Sequence, residues 1–215
     1  MLSKAKVNII LSILEEMYPV AECSLDFDGN DFHFLVRAIL SAQCTDKRVN
    51  EVTKTLFDKY PSVSSFAQAQ QEALAKDIKT CGLYNSKSRN IIKTSQILEE
   101  MYDGQIPIES EDLESLPGVG RKVANLIRGE LFSIPAVVVD THCMRVAKRL
   151  DFADSDQPLR VEKDLSSCVP KDKWITLGHR FVAHGRALCS ARSPKCNSCA
   201  LEEVCKYGRS QARKR

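Results

Sequence analysis

Residues 116–122 read Leu-Pro-Gly-Val-Gly-Arg-Lys, and the chain runs on as VANLIRGEL. Apolar residues on either side repeat at helical spacing, so the stretch joins two helices. Pro117 ends the first of them, since proline is not tolerated in a helix interior. Gly118 and Gly120 admit positive φ and remove side chains that would block close approach. The next helix adds its unpaired N–H groups and the positive end of its dipole. Such a helix–hairpin–helix makes a concavity for a phosphate without reading a base. A plain helix connection with glycine at the turn is the other reading of the same spacing. A nucleotide fingerprint is excluded, because no strand precedes the stretch and neither glycine-rich phosphate pattern is complete.

Lys122 falls in the first turn of the second helix. A lysine there is either solvated or touches a phosphate, unless it is a nucleophile. A nucleophilic amine must be neutral, and holding half of such amines neutral at pH 7 costs about 4–5 kcal/mol. A helix N-terminus disfavours a cation, Arg121 is adjacent, and closure on a ligand would remove water.

Working outward, helical periodicity dominates the chain. It predicts helices over 4–17, 31–43, 47–59, 62–69 and 71–80, and a long one from Asn85 or Ser86 to about Met101. Further helices are predicted over 111–116 (capped by Ser110), 121–132, 141–150, 159–167 and 173–187, with a last turn at 199–206. The only strand-like run, Ala136-Val137-Val138-Val139, is too short and isolated to build a sheet. The class is all-α, with no low-complexity linker and no internal repeat.

At 215 residues the chain is long enough for one large domain or two small ones. A hydrophobic share of 43% and a charged share of 27% are those of a globular protein, which argues against disorder or a fibre. The net charge of +3 is small, but its distribution is uneven. Residues 121–150 hold six Lys/Arg against two acids, and residues 186–215 hold eight against two. Clustered cations on a near-neutral chain suit a polyanion-binding face, or simply a solvated surface with a basic tail. No apolar run approaches the ~18 residues of a membrane span. The N-terminal segment lacks a cleavage signature and reads as an amphipathic helix, so the expectation is a cytoplasmic protein without an export signal. Nine cysteines in a reducing compartment are thiols or metal ligands before they are disulfides.

Four of them, Cys189, Cys196, Cys199 and Cys205, are spaced C-x6-C-x2-C-x5-C. Four thiolates in so short a segment can surround one metal centre, either tetrahedral zinc or an iron–sulfur cluster. Both remain open on spacing. Cys23, Cys44, Cys81, Cys143 and Cys168 are scattered and read as small buried hydrophobes. Asp140 ends the AVVVD run and is placed to cap helix 141–150. A carboxylate with one oxygen in a cap can direct the other into a cleft.

Taken together, LPGVGRKVAN, then VDTH with Asp140 eighteen positions after Lys122, then HGR at 184–186 and the cysteine spacing resemble the endonuclease III family. LSAQCTDKRVN (40–50) and GLYNSKSRNIIK (82–93) are similar to that family too, so the resemblance spans essentially the whole chain. Cys44 departs from it by standing where a small residue such as alanine is expected. The resemblance implies two helical domains with a DNA-binding cleft between them: a six-helix domain over 23–134, and a cluster domain from 1–22 plus 135–215. It implies a [4Fe-4S] cluster on the four cysteines and, as partner, double-stranded DNA with a damaged pyrimidine or abasic site. It further implies a monomer, nucleoid-associated if bacterial, that makes no use of a membrane. The activity implied is base-excision repair by a bifunctional N-glycosylase and AP lyase, with Lys122 as nucleophile and Asp140 assisting. Gln43 and Leu83 match positions that fill the gap left by a flipped base, Gly118 and Gly120 form the phosphate hairpin, and Arg192 and Lys195 face phosphate beside the cluster. The competing readings are an adenine or thymine mismatch glycosylase, whose relatives lack the hairpin lysine, and a non-catalytic iron–sulfur DNA-binding module.

Overall fold

The structure, a computed structural model, describes residues 2–213. Lys214 and Arg215, the last cations of the basic C-terminal segment, lie outside the described residues. Twelve α-helices occur among the described residues: α1 (Lys4–Met17), α2 (Asp31–Leu40), α3 (Asp46–Lys59), α4 (Val63–Ala67), α5 (Gln71–Asp77), α6 (Tyr84–Tyr102), α7 (Ser110–Ser115), α8 (Arg121–Phe132), α9 (Thr141–Leu150), α10 (Pro158–Cys168), α11 (Trp174–Ala187) and α12 (Lys206–Ala212). The same residues contain no strand, and none of their helices is long and apolar enough to cross a membrane. The chain divides into two compact units, one of Cys23–Ile134 and one of Met1–Glu22 with Pro135–Arg215.

The unit Cys23–Ile134 holds seven α-helices, α2 to α8, and one 3₁₀ turn. It is built round α2, of which Phe32, Phe34, Leu35, Val36, Ala38, Ile39 and Leu40 are all buried. A helix apolar on every side belongs at the centre of a core. Leu56, Phe66, Leu74, Ile91, Leu98, Leu113 and Ile127 from the surrounding helices close over it. Two polar residues of α2 are buried as well, His33 and Arg37. His33 stacks on Phe57 at 3.8 Å between ring centroids, and the Arg37 guanidinium lies 4.7 Å from the same ring. Both reach Asp28 Oδ2, at 3.0 and 3.1 Å, and Arg37 Nε also donates to Thr53 Oγ1.

The second unit packs the apolar stripe of α1 (Val7, Ile10, Leu11, Leu14) with α9, α10 and α11. Val146, Ala147, Leu150, Leu165, Leu177 and Phe181 form the rest of that core. The Ala136–Val139 run is buried at Ala136, Val137 and Val139 without pairing as a strand. It leads directly into α9, whose N-cap is Asp140.

Several expected boundaries shift for local reasons. Helix α2 stops at Leu40, and a turn follows in which Cys44 N donates to Ser41 O. The segment expected at 71–80 ends at Asp77 and tightens into a 3₁₀ turn, Lys79–Cys81. Neither Asn85 nor Ser86 caps α6, which starts from Leu83 in the left-handed region without a side-chain cap. Ser110 lies inside α7, its Oγ donating to Glu114 Oε1, while Glu109 takes the cap position. The expected last turn is present at 200–204, where Glu202 N donates to Cys199 O and Val204 N to Leu201 O, and a further helix, Lys206–Ala212, follows it from Cys205, whose sulfur accepts from Gly208 N.

Burial alone would raise the carboxyl of Asp28, but its hydrogen bonds and charge contacts with Arg37 and His33 reverse this and bring it to about 2. A folded value below the unfolded one gives stability that is present above about pH 4 and lost as pH falls through about 2. Asp28→Asn is therefore expected to lower Tm at neutral pH and to flatten the acid limb of stability between about pH 4 and 2. Urea unfolding at a series of pH values measures both; an unchanged acid limb would contradict the clamp.

Candidate functional site

The LPGVG stretch folds as a tight hairpin between α7 and α8. Leu116 is extended (ψ 133°), as a residue before proline must be, and Val119 N donates back to Leu116 O at 3.0 Å. Gly118 follows Pro117 with φ +84°, the left-handed position that a type II turn gives to glycine. A Cβ on Gly118 would lie 3.0 Å from Asn90 Nδ2 and 3.3 Å from Ile39 Cγ2. Thr94 Oγ1 donates to Pro117 O at 2.9 Å, so α6 holds the hairpin from beneath. Gly120 corrects the expectation from sequence: its φ is −92°, and a Cβ there meets nothing within 4 Å. Its role is to be the N-cap of α8 with no side chain in the cap. Gly120, Arg121 and Lys122 are all exposed at that helix start, the kind of end at which an anion is favoured in general. Lys122 is exposed one residue inside that turn.

Two further expected residues share this unit. Gln43 and Leu83 are both exposed at turn tips, and both adopt positive φ, 54° and 48°. Left-handed backbone is uncommon for a branched apolar residue and costs energy that the surroundings must supply. Leu83 is 53% exposed, a leucine tip presented to solvent directly after Gly82. Lys87 was not singled out from the sequence, although it stands in the same GLYNSK run; it is buried behind these two turns.

The remaining expected residues belong to the other unit. Asp140 is half-buried and caps α9, its Oδ1 accepting from Cys143 N at 2.7 Å. The cap leaves the second carboxylate oxygen for another partner. Two arginines one turn apart on α9 then fix the cysteine loop. Arg145 Nε donates to Cys189 O at 3.0 Å and its NH2 to Gly185 O at 3.1 Å. Arg149 NH1 donates to Ser190 O at 2.7 Å and to Cys189 Sγ at 3.2 Å, and NH2 donates to Ala191 O at 2.9 Å. The guanidinium of Arg149 also lies 4.5 Å from the centre of the Tyr207 ring. Gly185 explains the glycine of the HGR stretch: a Cβ there would come within 2.7 Å of His142 Nδ1 and 2.9 Å of Arg145 NH2.

Cys189, Cys196, Cys199 and Cys205 line one shared pocket, with Leu150, Leu188, Pro194, Leu201, Arg149 and Lys195. Among the described residues no three His, Cys, Asp or Glu side chains gather tightly enough for a single metal ion. Burial first, then the neighbouring cysteines, pushes the Cys199 and Cys205 thiols up from their ordinary value. His184 lies behind, 3.9 Å from Cys199 Sγ and 3.0 Å from the Tyr18 hydroxyl. Burial, helped by the charge of Arg145, holds its imidazole down to about 4, so it is neutral near pH 7. Arg192 and Lys195 are both exposed on the same loop.

A family profile described as HhH-GPD superfamily base excision DNA repair protein matches residues 36–171. The chain belongs to this superfamily. Within the HhH-GPD superfamily it is 43% identical to endonuclease III of Bacillus subtilis (strain 168), over all of this chain and 98% of that one. Identity to endonuclease III of Escherichia coli (strain K12) is 40%, over 96% and 97% of the two chains. A solved structure of a trapped endonuclease III–DNA covalent intermediate, an estranged-adenine complex, superposes with a TM-score of 0.93 at 42% identity. It covers 99% of this chain and 100% of that one. As an HhH-GPD protein of this kind, the chain is a DNA-repair enzyme of the DNA glycosylase/AP lyase class.

The two hairpin glycines are expected to respond differently to alanine. Gly118→Ala meets both a left-handed backbone and close neighbours, and should cost about 2–4 kcal/mol. Gly120→Ala should stay within about 0.5 kcal/mol, the poorer cap being offset by a less flexible unfolded chain. Denaturant midpoints of the two variants check this; equal losses would contradict the turn geometry.

Proposed function

We propose that this protein excises oxidised or otherwise damaged pyrimidines from double-stranded DNA and cleaves the strand at the resulting abasic site. The observation that carries the reading is Lys122: an exposed amine in the first turn of α8, directly after a hairpin whose N–H groups suit a phosphate. Phosphate bound there would hold the backbone while Lys122 meets the sugar. The trapped covalent complex of the similar endonuclease III is the outcome such an amine would give.

A pyrimidine inside a duplex is out of reach, so it is turned out of the stack at a cost of a few kcal/mol. Leu83, an apolar tip gaining burial on entry, and Gln43 would fill the vacated space. Neutral Lys122 attacks C1′ and the glycosidic bond breaks, the base leaving with the bonding pair. The nitrogen then passes one proton to O4′ as the C1′–O4′ bond breaks, leaving a protonated Schiff base on the open sugar. A C2′ proton is then removed and the C3′–O bond breaks, releasing the 3′ strand. Asp140, its Oδ1 tied to the cap of α9, would accept a proton or offset positive charge at the sugar through its other oxygen. Arg192 and Lys195 would add phosphate contacts, which makes affinity fall steeply with salt.

The four cysteines fit a [4Fe-4S] cluster: all four face one pocket with apolar walls, and Arg149 donates to Cys189 Sγ while Gly208 N donates to Cys205 Sγ. That group would supply a rigid anionic centre that fixes the loop bearing Arg192 and Lys195. The enzyme would act as a monomer in the cytoplasm, associated with the nucleoid in a bacterial cell.

Strand cleavage of a duplex with one oxidised pyrimidine tests the reading. Lys122→Gln should lose on the order of 10³-fold or more in cleavage. Asp140→Asn keeps a good N-cap and should fold, yet lose about 10²–10⁴-fold. Undiminished cleavage by Lys122→Gln would overturn the assignment of the nucleophile. The purified protein should be brown, with iron and labile sulfide; a colourless protein with one zinc would remove the cluster.

A further inference from the structure

Lys87 is a lysine with 4% exposure. Its Nζ donates to Leu40 O at 2.9 Å and to Cys81 O at 2.8 Å. Leu40 is the last residue of α2, and Cys81 is the last residue of the 3₁₀ turn Lys79–Cys81. One ammonium thus closes the carbonyl ends of two separate helical segments, the ends where a cation is favoured. Three residues beyond the first end is Gln43; two residues beyond the second is Leu83. Both are the exposed tips that hold left-handed backbone. The bridge lies wholly within the unit Cys23–Ile134, so it ties the roots of these two turns to each other.

Burying an amine is unfavourable, and burial pulls Lys87 down from the ordinary lysine value, while the thiols of Cys44 and Cys81 beside it act in the opposite direction. Its two bonds to carbonyls are what hold it there. A methionine would fill the same space apart from those bonds, so the chain spends a buried polar contact where an apolar one would pack.

We infer that Lys87 is a positioning residue that fixes the spacing of the Gln43 and Leu83 turns, so that the two tips enter the duplex together as one wedge. This rests on the reading that those two residues fill the space of the extruded base. With the bridge cut, α2 and the 3₁₀ turn keep their own helical bonds. The two tips lose their common anchor, and the strained backbone at each can relax independently. Lys122 and the hairpin remain as they were.

The test compares two substrates that differ only in the need to open a helix. Each variant is assayed for strand cleavage at one damaged pyrimidine in duplex DNA and at the same damaged pyrimidine in a single strand of the same sequence. Lys87→Met is expected to lose about 10- to 100-fold on the duplex while keeping its single-strand cleavage, and Lys87→Gln, which still donates to one carbonyl, should fall between. If Lys87→Met does not fold, Lys87→Gln carries the comparison. Loss in equal proportion on both substrates, or no loss on either, would mean a merely structural role and overturn the inference. Gln43→Ala and Leu83→Ala run alongside. If they leave the duplex-to-single-strand ratio unchanged, the wedge reading itself fails. If they lower it and the Lys87 variants do not, only the bridge is overturned.

Discussion

The left-handed turn at Gly118 is the constraint on which the position of the amine depends. Its φ of +84° reverses the chain between α7 and α8, and the absence of a side chain lets it lie against Asn90 and Ile39. Ile39 belongs to the buried central helix and Asn90 to α6, so the hairpin is referenced to the core of its unit. Thr94 and the Val119–Leu116 bond fix the remaining freedom. Lys122 is four residues further on, with only Val119, the Gly120 cap and Arg121 between. An error in the turn would therefore be transmitted to the amine almost undiminished. A 1 Å error at a reacting atom can cost about 10²-fold in rate.

The other unit solves a similar problem with charge instead of glycine. Asp140 needs a defined direction, and its bond to Cys143 N gives one. Helix α9, which it caps, is held in turn by Arg145 and Arg149 against the loop that begins at Cys189. The cysteine pocket and the capping carboxylate are thus two ends of one braced element. A cluster held on those cysteines would brace α9 and fix the loop that carries Arg192 and Lys195. In both units a polar group is held by backbone partners: Lys87 by two carbonyls, Asp140 by an N–H. Leaving such a buried partner unmatched costs about 1–3 kcal/mol, which keeps these arrangements from drifting.

The sequence was readable where one residue type has one physical use. The proline and Gly118 of LPGVGRK gave the hairpin, Asp140 gave its cap, and the periodicity of 4–17, 121–132 and 141–150 gave helices at those bounds. It was less readable where several residues can do the same job. Asn85, Ser86 and Ser110 are all good caps by type, yet the chain enters α6 and α7 without using them as caps. Gly120 carries no conformational demand, although glycine by itself suggests one. Lys87 was invisible because a buried lysine looks the same in sequence as a solvated one. Its partners are backbone carbonyls, one of them 47 residues away, which no side-chain pattern records. The arginines of α9 escaped for the same reason, having been counted as part of a basic surface.

The central claim is that the amine of Lys122 becomes covalently attached to the sugar of the damaged nucleotide. Reduction with borohydride during turnover on an abasic-site duplex, followed by peptide mass mapping, tests this most directly. The account predicts one stable adduct, a deoxyribose remnant on the peptide containing Lys122, and none from Lys122→Gln. An adduct on a different lysine, or on the N-terminal amine, in the unaltered protein would contradict it.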